Sequence, residues 1–194
     1  MTISQSNTKT KIIVLAILLV LSFLPVYFIN YRTIKASYYH YWGINYYLNS
    51  IKDKSYEYWK IAINTPNPYL NGSRVDFATT IQEGYQGGVI LEPIQEIHKE
   101  GIIEMKKAIA SEQENYFYYT FLAEYENIFS DFDRGYLDEA EKMEDAAWQL
   151  SPGRQQILYA MAKTALLKGD DKKGYTLFKR AVDLNPAAGD PLAA

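Results

Sequence analysis

Between Lys11 and Arg32 the chain carries no charge for 20 consecutive residues. Ile12 to Ile29 is apolar or aromatic apart from Ser22 and contains Pro25. At about 1.5 Å per residue, a helix of this length reaches about 30 Å, the thickness of a bilayer's hydrocarbon core. A buried helix of a soluble domain normally keeps one polar face, and this stretch has none. Tyr27, Tyr31, Arg32 and Lys35 follow as anchors at headgroup level. The expectation is a short polar tail over 1–11 and one transmembrane helix over 12–31, kinked at Pro25. The alternative is a cleavable signal peptide starting at Lys9 and Lys11, but the apolar stretch is long. Only Ile34 and Ala36 approach a small-residue cleavage pair. Flanking charge is nearly balanced, with Lys9 and Lys11 on one side and Arg32 and Lys35 on the other. A short leading tail tends to stay inside, so the remainder is expected to be extracytoplasmic.

Composition removes whole classes of chemistry. The 194 residues include no cysteine and two histidines, His40 and His98. Disulfide frameworks, iron–sulfur clusters, thiolate zinc sites and a cysteine nucleophile are therefore excluded. His98 has Glu96 and Glu100 two residues away, a spacing that does not share a helix face. Twenty basic against 23 acidic residues leave no footprint for nucleic acid. There is no phosphate-cradling glycine loop and no nucleophile elbow. The paired carboxylates Asp131/Asp133 and Asp170/Asp171 fall in predicted turns, which are wet, whereas general acid–base catalysis needs one of a pair set apart by burial or a neighbour. No catalytic residue, metal site or cofactor is expected, and the chain reads as a non-enzyme.

Behind the apolar stretch the pattern becomes amphipathic helix broken by Asn, Gly and Pro. DAAWQLSP ends at Pro152 and KRAVDLNP at Pro186, 34 residues apart. A 34-residue period closed by proline predicts stacked helical hairpins. In the last unit, 153–186, a first helix is expected over about 154–168 with Leu158, Met161, Ala162 and Ala165 on one face. Gly169 and Asp170 make the turn. A second helix over about 172–184 buries Leu177, Phe178, Ala181 and Val182. Gly174, Ala162 and Ala181 are small where the two helices meet.

These residues resemble the tetratricopeptide repeat family. The places of its pattern are filled by Leu158, Met161-Ala162, Ala165, Gly174, Phe178, Ala181 and Pro186, and again by Tyr39, Trp42-Gly43, Tyr46, Ser55, Trp59 and Ala62. The first unit spans 33–66. In a unit over 113–152, Gly135, Tyr136, Ala140, Met143, Ala147 and Pro152 fit the turn and second helix. Starting its first helix near Glu114 places Phe117, Phe121, Leu122 and Tyr125 on the buried face. Residues 67–112 form a divergent hairpin, with one helix through SRVDFATTIQEGYQG, a turn at Gly87-Gly88, and another from about Ile90 to Glu112. Residues 187–194 are a frayed tail. The resemblance implies an all-α fold, a single transmembrane helix followed by an α-α superhelical repeat domain. An apolar helix ending Pro25-Val-Tyr-Phe-Ile-Asn30 before tyrosine-rich repeats also resembles the C-terminal region of O-antigen ligase and polymerase membrane proteins. The multi-helix catalytic body of that class is missing here, so no catalytic residue carries over.

From Glu92 to Asp145 there are 15 acidic and five basic residues, and from Ala146 onward four acidic and seven basic. Glu92, Glu96, Glu100 and Glu104 are spaced as the solvent face of one helix. Lys172-Lys173 and Lys179-Arg180 lie on the outside of the last. Tyrosine is the outlier, 18 of 194 residues. Tyrosine gives large contact area at low entropic cost, so a partner groove is expected around Tyr39, Trp42, Tyr46, Tyr116 and Tyr119. The functional expectation is a membrane-anchored scaffold for protein–protein contact or complex assembly at the cell envelope. Its partners are a protein or a second copy of the chain, and the bilayer through 12–31. Alternatives are an accessory part of a glycan-handling membrane protein, binding glycan or lipid-linked glycan, and a self-assembling structural or filament subunit.

Overall fold

In the computed structural model, which describes residues 5–88 and 94–184, every regular element is helical. The chain divides into two compact units, Met1–Leu70 and Asn71–Ala194.

The first unit is built on α1, Gln5–Leu48, a single helix of 44 residues. It is continuous through Pro25, although proline cannot bond back to the Leu21 carbonyl. The boundary between the expected transmembrane region, 12–31, and the expected first unit, 33–66, falls inside this one helix. From Ile12 to Ile34 its large apolar side chains are all exposed, Phe23 at 68% and Leu18 at 57%. One helix near the N-terminus is thus long and apolar enough to cross a membrane. The Ser22 and Thr33 hydroxyls donate to the carbonyls of Leu19 and Ile29, at 2.8 and 2.9 Å, so neither asks for an outside partner.

The C-terminal part of α1 turns back on α2, Lys52–Ile63. The corner is a Schellman motif: Ser50 N–H donates to Tyr47 O and Ile51 N–H to Tyr46 O, with Ser50 at φ 59°. Gly43 lets the helices close. A Cβ there would lie 3.1 Å from the indole of Trp59, which is fully buried. The Ser55 hydroxyl donates to Gly43 O at 2.8 Å across the seam, and Ala36, Ala62 and Ile63 fill the rest.

In the second unit, α3 (Leu70–Gly87) and α4 (Ile94–Ser111) run antiparallel. Asn71 Nδ2 donates to Ser111 Oγ and Glu112 Oε1, and Arg74 Nε donates to Glu104 Oε2 at 3.1 Å. The expected start of this helix at Ile90 lies outside the described residues, as do Glu92 and Pro93. Glu104 also departs from the expected solvent face, being 3% exposed and paired with Arg74 and Lys107. Each i,i+4 step overshoots a full turn by about 40°, so a series that starts in solvent winds inward.

The remaining helices form two hairpins. Helix α5, Tyr116–Ile128, runs into a 3-10 turn at Phe129–Asp131 and packs on α6, Tyr136–Leu150. Helix α7, Gln155–Leu167, packs on α8, Asp171–Leu184, and α5 and α7 also contact each other. The α7–α8 corner is again a Schellman motif, Gly169 N–H to Leu166 O and Asp170 N–H to Ala165 O, with Gly169 at φ 86°. Asp170 then caps α8 through Lys173 N–H. Ala140, Ala147, Ala162, Gly174 and Ala181 are buried on the seams; Phe178 is half-buried with its ring tilted against Tyr159, centroids 5.7 Å apart. Val182 is 40% exposed, not buried as the periodicity suggested. Pro152 is exposed, and Pro186 with the tail 187–194 lies outside the described residues.

Candidate functional site

Helix α5 presents two stripes. Tyr118, Leu122, Tyr125 and Phe129 point into the core, the last three without exposed surface. Phe117, Phe121 and Glu124 form the neighbouring stripe. Phe117 is 48% exposed and Phe121 half-buried, which corrects their expected place in the core. One helix cannot bury both stripes when its neighbours cover only one of them.

The second stripe lines a cleft of about 250 Å³ with Tyr116, Thr120 and, from α7, Gln156. Asn115 fixes the start of α5 by accepting from Phe117 N–H at 3.2 Å. The Arg154 guanidinium lies over the Tyr116 ring, 5.2 Å from its centroid. Burial pushes the Glu124 carboxyl above the ordinary range, and nearby Lys163 partly offsets this. The cleft thus offers aromatic walls, a hydroxyl, an amide and a carboxylate.

Of the expected groove residues, Tyr116 lines this cleft. Tyr119 is half-buried outside its lining and donates its hydroxyl to Gln113 O at 3.2 Å. Tyr39, Trp42 and Tyr46 belong to the other unit. There they join a half-buried aromatic ladder, Tyr39 against Tyr58 at 5.2 Å, Trp42 against Tyr46 at 5.5 Å and Tyr46 against Tyr58 at 5.1 Å. Lys54 stands over Tyr46, 5.5 Å from the ring centroid.

Sequence reading missed the carboxylates with the most unusual environment. Glu126 and Glu144 are each 1% exposed. Burial raises them to about 8 and about 7. Glu144 accepts from the Thr164 hydroxyl, and Asn127 Nδ2 donates to the same hydroxyl oxygen at 2.7 Å. Glu126 Oε2 has no hydrogen-bond partner among the described residues. These groups lie between helices, out of reach of a substrate, and act on stability. A faint signal was present: Leu122 and Tyr125 form an i,i+3 apolar stripe, and Glu126, four residues after Leu122, lies beside it. The other carboxylate pairs, Asp131/Asp133 and Asp170/Asp171, are exposed at the connections between helices. His98 is buried against Phe129, Tyr125 and Tyr136, with centroids 4.6, 6.3 and 5.0 Å away, and burial lowers its pKa. No known protein family matches the chain, and neither does any curated protein.

Proposed function

We propose that the chain is a non-catalytic scaffold of tetratricopeptide type, anchored by the apolar part of α1, that holds a protein partner in the cleft between α5 and α7. The carrying observation is the cleft itself: Tyr116, Phe117 and Phe121 stand on one side of a helix whose other stripe already completes the core. A helix that keeps three aromatic rings out of its core has surface to offer a partner. Two features support the repeat reading. Hairpins α5–α6 and α7–α8 follow one another with buried small residues at the helix contacts, Ala140 and Ala147 in one, Gly174 and Ala181 in the other. In the first unit, Gly43 and Trp59 make the same kind of close approach. The exposed apolar surface of α1 supports the anchor, since such a surface is stable in lipid and unstable in water.

The test is affinity capture of the full chain, solubilised in detergent from its native membranes, read by mass spectrometry. The intact chain is expected to enrich one envelope protein that Phe117→Ser/Phe121→Ser does not. Recovery of copies of the chain alone would replace the scaffold with self-assembly. Capture unchanged by the double substitution would move the binding surface away from the cleft.

A further inference from the structure

We infer that the α5–α7 cleft is selective for a basic segment of its partner, seating an arginine or lysine side chain on the Tyr116 ring with its charge towards Glu124. This rests on the reading of the cleft as a partner site and adds the chemistry of what enters it.

Three independent observations converge. First, the Tyr116 face already carries a guanidinium, that of Arg154, which is tethered to Ser151 Oγ at 3.2 Å and otherwise exposed. A ring face that holds one cation by its quadrupole accepts another of the same geometry. Second, Glu124 lines the cleft half-buried, and the charged form of such a carboxyl is favoured by an incoming cation. Among the described residues, Lys163, on the exposed side of α7, acts on it and lowers its pKa in part. Third, the rim beside Tyr116 carries carboxylates on its α5 side, with Arg154 the basic group at the ring. Glu112 and Glu114 line a shallow surface that adjoins the cleft at Tyr116. Glu112 is held by the amides of Asn71 and Asn115, which lower its pKa while leaving its negative charge unneutralised. A basic segment crossing this rim gains electrostatically before any side chain enters.

Arg154 is the internal competitor. It occupies the ring without filling the cleft, so removing it should strengthen binding.

The experiment measures fluorescence anisotropy of a labelled Gly-Arg-Gly-Arg-Gly-Arg peptide with the detergent-solubilised full chain. Matched peptides carry citrulline or glutamate in place of arginine. Citrulline keeps the shape and loses the charge, and is expected to bind about tenfold more weakly. Glu124→Gln and Tyr116→Leu should each weaken the arginine peptide about fivefold, while Arg154→Ala should strengthen it by about two- to fivefold. That gain cannot come from misfolding. Equal binding of arginine and citrulline peptides overturns the inference, as does tighter binding of the glutamate peptide or indifference to Glu124→Gln and Tyr116→Leu. If native-partner capture still depends on Phe117 and Phe121 while the peptides show no charge preference, the scaffold stands and the basic segment falls.

Discussion

In the corner between α1 and α2 the left-handed position is taken by Ser50, at φ 59°; between α7 and α8 it is taken by Gly169, at φ 86°. Both corners make the same pair of backbone bonds, from the N–H groups of the left-handed residue and the one after it. Both hairpins also close over a glycine. Gly43 faces the indole of Trp59, which has no exposed surface, whereas Gly174 faces Leu166, which is 40% exposed, and the Ala162 backbone oxygen, 3.2 Å from where a Cβ would lie. The geometry is shared and the tolerance differs. A buried indole cannot move aside, while a surface leucine can change rotamer. The polar interior differs as well. The α1–α2 seam is bridged by a neutral hydroxyl, Ser55, whereas α5, α6 and α7 enclose Glu126, Glu144, Asn127 and Thr164. The same hairpin outline therefore holds a rigid aromatic lock in one unit and a titratable interior in the other.

The largest test of that contrast removes the lock. Trp59→Ala should cost about 3–5 kcal/mol and melt the α1–α2 hairpin while leaving α5–α8 helical. Hydrogen exchange of the detergent-solubilised chain, resolved by segment, would read this. Loss of protection in both units would show a shared lock.

The titratable interior comes next. Glu126 and Glu144 have folded pKa values of about 8 and about 7, above an ordinary carboxyl's 4.5. Between those limits the folded state binds more protons than the unfolded one, so stability falls as pH rises from about 4.5 to about 8. Lys106 and Lys142 moderate this for Glu126, while Glu139 and Glu144 add to it. Glu126→Gln should therefore raise the melting temperature at pH 8.5, by on the order of 2 kcal/mol of stability, and flatten the pH slope of the second unit. No change in slope would remove Glu126 from the account. Glu141 runs the other way: hydrogen bonds from Lys168 and Lys173 lower it to about 2, so its small contribution is present above 4.5 and lost as pH falls through 2.

The two glycines sharpen the comparison further. Gly43→Ala should destabilise by about 1–3 kcal/mol through overpacking against Trp59. Gly174→Ala should cost less, up to about 1 kcal/mol, because alanine's helical preference and a movable Leu166 offset much of the crowding, while the Ala162 backbone oxygen stays in place. Thermal melts of the two variants decide it; equal losses would mean that the Leu166 side is as rigid as the indole. The smallest effect is at the corners. Ser50→Gly should stabilise by up to about 1 kcal/mol and Gly169→Ala should destabilise by a similar amount, since only glycine is at ease at positive φ.

The helical class was legible in the sequence because Gly, Asn and Pro punctuate apolar residues of helical spacing, and the apolar stretch of α1 was legible because it has no polar face. Close packing at Gly43, Trp59, Gly174 and Ala181 was visible in the alternation of small and bulky residues. The continuity of α1 was not, because Arg32 and Lys35 mark a headgroup boundary that a helix crosses without breaking. The cleft was half legible. Tyr116 was picked for being aromatic, but which stripe of α5 turns outward depends on where α4, α6 and α7 pack, and spacing cannot show that. Glu126 and Glu144 were missed for the same reason: a charged residue in an amphipathic pattern reads as solvent face until a third helix covers it.

The central claim, that the α5–α7 cleft holds a protein partner, is tested most directly by site-specific photo-crosslinking in native membranes. A photoreactive residue would replace Phe117 in the cleft and, in a control, Lys179 on α8. The account predicts one discrete crosslinked protein from position 117, absent from position 179 and diminished by Glu124→Gln. Crosslinks of equal yield and identity from both positions, or none from 117, would contradict it.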